Sequence, residues 1–366
     1  MSPAEDPLEQ RLRRDFPYRE ERVYLNSAGA GLPWSGAPAA AAAHFTEIAQ
    51  FGADARPGWI ERAESARTRL AGMLHVPSED IAFLRSTTEV MNLAAASMPW
   101  ESGDEVVFPS DDFPSVVLPW QRARESGARI IPTRIEAEQE RTDALLAAMT
   151  PRTRMVAVTH VNATTGTRVD LTRLGERCRE VGALLVVDGI EALGSIPVDL
   201  TPVDVYGAGV FKWLMSGFGT AVGVFRERAR TILTPAYRGY RNPEPAPRFE
   251  YSEPNFPGLA VLDTTLGYLE DLGWDTVYAR VETLTAMVAT AVAGHGLRIV
   301  TPADRGGIIA FEHSDADGIV ELLREDGVDV VTRGGLVRVS PHFYNTAGDI
   351  HRFETALASA LARVAA

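Results

Sequence analysis

The sequence is almost without cysteine: Cys178 stands alone among 366 residues. An intramolecular disulfide is therefore excluded, and a reducing compartment, the cytoplasm, is the expected location. Long apolar runs are missing too. None approaches the roughly 20 residues that cross a bilayer, so no membrane contact is expected. Basic charge is short, with 36 basic against 49 acidic residues and a net charge of -13. That balance argues against a nucleic-acid partner and favours solubility. The opening stretch Met-Ser-Pro-Ala-Glu-Asp-Pro-Leu-Glu lacks the basic, apolar pattern of a secretory leader. No internal repeat is found, and the alanine-rich pieces at 38–43 and 355–366 read as helix. What remains has the composition of a soluble globular protein, long enough for one large domain and a smaller one.

The stretch from Leu184 to Phe225 carries the strongest pattern. A β-branched apolar run ends in Asp188, a second short run ends through glycines just before Lys212, and a third runs to Phe225. Apolar runs of this length bounded by glycine read as buried strands of a parallel sheet. In such sheets ligands sit beyond the carboxyl ends of the strands, so Asp188 and Lys212 are expected to meet over one crevice. A lysine in that position is a candidate Schiff-base residue. A carboxylate nearby is what a pyridinium nitrogen needs.

Other local patterns set the remaining elements. Residues 4–17 suit a short amphipathic helix on Leu8, Leu12 and Phe16. Residues 58–75 read as a helix. Residues 81–93 pass from strand to helix, with Ser86, Thr87 or Thr88 available as the cap. A helix start with free N–H groups and hydroxyls is an anion site. A strand follows at 104–109, another at 128–132 and a strand-loop at 155–171, then a crossover helix bearing Cys178 at 172–181, long helices over 258–295 and a helix near 315–325. Thr346 and Asp349 form a capping box for the last helix.

The segment Val186-Val187-Asp188-Gly189, followed by Pro197-Val198-Asp199-Leu200 and Lys212-Trp213-Leu214, resembles the class V aminotransferase family. These are fold-type I pyridoxal 5'-phosphate (PLP) enzymes that include cysteine desulfurases, C–S lyases, kynureninases and isopenicillin N epimerases. The resemblance covers roughly residues 20–365. It implies an α/β fold with a mostly parallel seven-stranded sheet and a small C-terminal α/β domain. The expected division is an N-terminal segment packing with the small domain (1–20), a large PLP-binding domain (21–257), and linking helices with the small domain (258–366). By the same resemblance, Lys212 carries the cofactor as a Schiff base and Asp188 pairs with its ring nitrogen. Thr87 and Thr88 contact its phosphate, Phe113 in Asp-Phe-Pro-Ser stacks on the ring, and Asn162 contacts the ring hydroxyl or the substrate. Arg338, in Val337-Arg338-Val339-Ser340-Pro341-His342, takes the substrate α-carboxylate by bidentate pairing. Asn26 and Ala28 lie in the loop that lines the substrate site. Residues 248–258 resemble a loop that reaches the partner subunit's phosphate, which implies a homodimer with Ser252 as the phosphate contact.

The departures matter as much. Glu191 replaces the Gln or His often found near the ring hydroxyl, and needs a proton or a partner there. Gly209-Val210-Phe211 precedes Lys212 where the family often has Ser-x-His. Glu253 falls where a phosphate-binding Thr is usual, although a carboxylate facing phosphate is unfavourable. Desulfurases carry a nucleophilic cysteine just before the arginine strand, but Val330–Gly335 contains none. The expectation is a PLP-dependent enzyme acting at Cα or Cβ of an amino acid, foremost a C–S lyase on a cysteine conjugate. The alternatives are an aminotransferase, an epimerase or a decarboxylating oxidative deaminase, and, from a different class, a non-catalytic PLP-fold binding protein.

Overall fold

A computed structural model describes residues 7–17, 22–135, 140–243 and 249–364. Residues 1–6 and 18–20 of the expected N-terminal segment, and Arg248 at the start of the expected cross-subunit loop, lie outside the described residues. In chain order the strands are β1 (Val23–Tyr24), β2 (Ile81–Leu84), β3 (Glu105–Pro109), β4 (Arg129–Thr133), β5 (Thr153–Thr159) and β6 (Leu184–Asp188). They continue with β7 (Val205–Gly209), β8 (Ala221–Phe225), β9 (Ile309–Glu312), β10 (Val328–Asp329), β11 (Val331–Arg333) and β12 (Leu336–Val339).

Seven of them form one sheet in the order β2-β8-β7-β6-β5-β3-β4. The pairs from β7 through β4 are parallel, as expected. β8 runs antiparallel to both β7 and β2, which corrects the reading of the third apolar run as a parallel strand. The reason is the connection: residues 210–220 hold no helix, and a parallel return needs a longer crossover, usually helical.

β6 shows why this sheet is buried on both faces. Leu185 and Val187 pack on one face with Leu174 and Cys178 of the helix Leu171–Val181. Leu184 and Val186 pack on the other with Val90, Met91 and Ala94 of the helix Thr87–Ser97. Side chains alternate across a strand, and each fully buried Val or Leu contributes roughly 1.5–3 kcal/mol. Gly207 of β7 lets the second helix approach: a Cβ there would meet Val90 Cβ at 2.7 Å. The helix start is thereby drawn onto the strand that leads to Lys212. Ser86 is its cap, accepting from Glu89 N at 3.1 Å.

The C-terminal part is a three-stranded antiparallel sheet, β11-β12-β9, backed by the helices Ala316–Glu325 and Ala347–Val364. Their shared core includes Phe311, Ile319, Leu323, Val337 and Phe353. The capping box forms as read: Asp349 N donates to Thr346 Oγ1 at 3.1 Å and Thr346 N to Asp349 Oδ2 at 2.9 Å. β1 pairs in parallel with β10, so Val23 and Leu25 belong to this smaller core. From there residues 26–32 cross to the main sheet. Leu12 of the helix Pro7–Asp15, and Phe16 just after it, are buried in the main core. Phe16 lies against Tyr268, Phe343 and Tyr344. Two long helices, Phe256–Leu272 and Trp274–Gly294, join the parts. Among the described residues no helix is long and apolar enough to cross a membrane.

Candidate active site

The carboxyl ends of β3, β5, β6 and β7 converge at one edge of the sheet. β6 ends on Asp188, which is 1% exposed. Its Oδ1 accepts from Ile190 N at 3.0 Å. Burial pushes this carboxyl up to about 7; the Ile190 N–H opposes the shift, Asp112 adds to it, and Lys212 opposes it. The site thus holds a carboxylate short of positive charge. Lys212 follows β7 and is buried. Its Nζ donates to Glu191 Oε1 at 2.6 Å, and Trp213 Nε1 donates to Glu191 Oε2 at 3.0 Å. Glu191 therefore has partners, a cation on one oxygen and an indole N–H on the other. His342 backs this arrangement, its ring 5.1 Å from that of Trp213 and its Nε2 3.2 Å from Trp213 O. Burial lowers His342 to about 3, so it sits there neutral.

The loop after β1 closes over Lys212. Gly31 N donates to Phe211 O at 3.0 Å. A Cβ on Gly31 would lie 2.0 Å from Lys212 O, so only glycine allows the two backbones to touch. Asn26 and Arg338 meet across this loop: Arg338 Nη2 donates to Asn26 Oδ1 at 3.1 Å and Nη1 to Ala163 O at 2.7 Å. Arg338 is 3% exposed and its Nε is buried without a partner. Burial lowers its pKa; the Glu191 charge opposes this, and the Arg333 guanidinium adds to it. Among the described residues it has no carboxylate partner. Ala28 is buried beside it, with its N–H donated to Ser340 Oγ at 3.0 Å.

The remaining candidates have defined local roles. Thr87 Oγ1 accepts from Gly209 N at 2.9 Å, tying the helix start to β7. Thr88 Oγ lies 2.7 Å from Ser115 Oγ. Asn162 Oδ1 accepts from Thr164 N and Thr165 N, each at 2.9 Å, which makes it the turn residue of its loop. Phe113 is 38% exposed, and the Arg333 guanidinium lies over its ring at 5.2 Å. Ser252 lines a small cleft with Arg85, Glu89 and Tyr251. Glu253 pairs with Arg56 and, at 3.5 Å, with Arg241, and Arg241 also reaches Glu250 at 3.6 Å. The Glu253 carboxylate is thus occupied by two guanidinium groups. Cys178 is fully buried on its helix, and burial raises its thiol to about 12.

Two features escaped the motif reading. Asp112 accepts from Thr159 N at 3.0 Å and Phe113 N at 2.8 Å, fixing the Phe113 turn to β5; no sequence signal marks a pairing between residues so far apart. The second was legible in composition. Lys212 is the only lysine in the chain, every other Lys or Arg position being arginine.

Comparison with known proteins agrees with this geometry. The aminotransferase class-V family model matches residues 47–353. An isopenicillin N epimerase from Amycolatopsis lactamdurans is 33% identical over 334 residues, covering 80% of this chain and 83% of that protein. A probable cysteine desulfurase from Methanothermobacter thermautotrophicus is 26% identical, covering 93% and 94%. Among solved structures, the cystine C–S lyase C-DES in complex with its product cysteine persulfide superimposes with a TM-score of 0.87 at 21% identity, covering 94% of this chain and 99% of that one. The last is a likeness of fold, and it reproduces the mostly parallel sheet with its smaller C-terminal unit. The chain belongs to the aminotransferase class-V family.

Proposed function

We propose that this enzyme acts at Cα and Cβ of an amino acid and cleaves the Cβ–S bond of a cysteine conjugate by β-elimination, without a catalytic cysteine. The family is one of PLP-dependent enzymes, and pyridoxal 5'-phosphate is the cofactor. The residues fit it. Asp188, a buried carboxylate with its pKa raised to about 7, lacks the positive charge that a ring nitrogen offers. Lys212 is the one lysine amine available for covalent attachment. Thr87, Thr88 and the helix start behind them offer hydroxyl and N–H groups to a phosphate, with Ser252 as the candidate from a partner subunit. Phe113 offers a ring face, and the Nδ2 of Asn162 remains to donate once its Oδ1 has formed the turn.

The observation that carries the reading is the pairing of Lys212 Nζ with Glu191 Oε1 at 2.6 Å, buried, in a site that Arg338 also serves. When bound, the cofactor supplies an electron sink for the pair left at Cα. Lys212 Nζ takes the Cα proton. Glu191, within hydrogen-bond reach of that nitrogen, holds or returns a proton as Lys212 changes charge. Arg338 fixes the α-carboxylate, supported by Asn26 in the loop that includes Ala28. The Cβ–S electron pair leaves on sulfur, which is protonated to the thiol. No thiol of the protein is required, since Cys178 is sequestered in the core.

A second reading, epimerisation at Cα, is favoured by the identity to the Amycolatopsis epimerase. It uses the same proton on Lys212 and differs in its product. A screen of amino acids and cysteine conjugates with products identified by mass decides between them: a free thiol and a deaminated keto acid support the lyase, whereas an inverted amino acid refutes it. Borohydride reduction should leave the cofactor on Lys212, and Lys212→Ala should lose the label entirely. We further propose a homodimer. The exposed apolar side chains Phe45, Phe51 and Phe218, at 59%, 60% and 71%, support it, and a fully active monomer in sedimentation would rule it out.

A further inference from the structure

Two guanidinium groups stand on one face of the β11–β12 hairpin. In the antiparallel register Val331 lies opposite Arg338 and Arg333 opposite Leu336. Because strand side chains alternate, Arg333 shares the face of Arg338, as its diagonal neighbour at roughly 7–8 Å. The hairpin is held in that register by its tip. Gly334 and Gly335 both have positive φ, +57° and +77°, the requirement of a tight two-residue hairpin turn. A Cβ on Gly334 would already lie 3.0 Å from Thr164 Cγ2, so the tip rests on the loop whose Ala163 carbonyl holds Arg338.

Both guanidiniums are short of an anion. Of the three arginines buried to 9% exposure or less, Arg67 and Arg141 each hold a carboxylate at 2.8 Å. Arg338 holds none among the described residues. Arg333 likewise holds none among the described residues; its head lies over the Phe113 ring, and its Nε, like that of Arg338, is buried with no hydrogen-bond partner among them. In a chain with net charge -13, the two neighbouring arginines of this face are left without a carboxylate among the described residues, one of them buried. An α-carboxylate accounts for one of them.

We propose that Arg333 is a specificity residue that binds a second carboxylate, at the end of the substrate's side chain, while Arg338 takes the α-carboxylate. The substrate class is then an amino acid, or a cysteine conjugate, with an anionic tail. This rests on the amino-acid reading given above. Phe113, beneath Arg333, supports the tail's apolar segment and keeps the guanidinium plane oriented.

The test compares carboxylate and amide isosteres: glutamate with glutamine, aspartate with asparagine, S-carboxymethylcysteine with S-carbamoylmethylcysteine. The dissociation constant of each is measured on the holoenzyme by calorimetry and by the shift of the cofactor absorption band, for the wild type, Arg333→Gln and Arg333→Lys. The wild type should bind the carboxylate member of the best pair about ten- to a hundredfold more tightly, the range of a hydrogen bond to a charged group. Arg333→Gln should bring that ratio close to one, and Arg333→Lys should restore part of it. A ratio near one in the wild type, or a full ratio retained in Arg333→Gln, overturns the assignment while leaving the amino-acid reading intact. If no amino acid of either kind binds or shifts the band, that reading fails and the Arg333 assignment falls with it.

Discussion

The ion pair between Lys212 and Glu191 makes the most direct quantitative prediction, because it can be tested on the unloaded protein. Glu191 is 0% and Lys212 8% exposed, so neither charge has water to fall back on. Removing one member of a buried pair costs about 3–5 kcal/mol, since it strands the other charge. Lys212→Met leaves the Glu191 carboxylate with the Trp213 N–H alone. Glu191→Gln keeps the shape but has only one acceptor oxygen. Whichever way the amide turns, either Lys212 Nζ or Trp213 Nε1 faces an N–H. Each single variant should therefore lose about 3 kcal/mol or more. The double variant strands no charge and should lose clearly less than the sum, with a coupling of about 2–3 kcal/mol, at the upper end for contacting residues. Denaturant titrations of the four unloaded proteins under one buffer give the cycle. Additivity within about 0.5 kcal/mol, the behaviour of independent sites, would mean that the pair does not hold the lysine in solution, and the proton-sharing role of Glu191 would lose its support.

Arg338→Ala should lose about 2–5 kcal/mol of substrate binding, the cost of truncating a buried charge contact; Arg338→Lys should fare nearly as badly, because an ammonium lacks the guanidinium fork, and steady-state kinetics equal to the parent's would show that no α-carboxylate is held there. Cys178→Ser should retain turnover, and Cys178 should react very slowly with thiol reagents at pH 8 in the native protein, since burial holds the thiol near 12; loss of turnover in a folded Cys178→Ser variant would restore a persulfide mechanism. Asp188 titrates higher in the folded chain, at about 7 against an ordinary 3.8, so the folded state binds the extra proton between those values. Its contribution to stability is complete below about pH 4 and is lost as pH rises to 7, on the order of a few kcal/mol. Asp188→Asn should flatten that part of the unloaded protein's stability profile, and an unchanged slope in chemical melts between pH 4 and 8 would refute the shift.

Much of this was legible in the sequence because the signals are local. The continuous apolar runs of β5, β6 and β7 and the Thr346–Asp349 box depend on neighbours a few residues apart. Strand ends that finish in Asp188 and just before Lys212 place the two groups on one edge whatever the details of packing. What the sequence hid is non-local. The direction of β8 depends on a connection too short for a crossover, not on the strand's own pattern. Glu191 looked unpaired because its partners lie at residues 212 and 213 on another segment. Glu253 looked exposed to phosphate because Arg56, the residue that neutralises it, is far away in the chain. The lone lysine was the exception: it was visible in composition, and a reading built on motifs passed over it.

The hairpin tip joins the missing thiol to the surplus arginine. The resemblance to desulfurases implies a nucleophilic cysteine in the segment just before the arginine strand. Here the same segment is pinned. Arg333 pairs directly with Leu336, two positive-φ glycines take up the whole turn, and the tip touches Thr164. A turn with no spare residue suits a fixed charge better than a mobile thiol, because electrostatic recognition gains from a donor already in place. The hairpin therefore presents a fixed cation where a desulfurase would need a thiol, and the segment Val330–Gly335 has no cysteine to supply one.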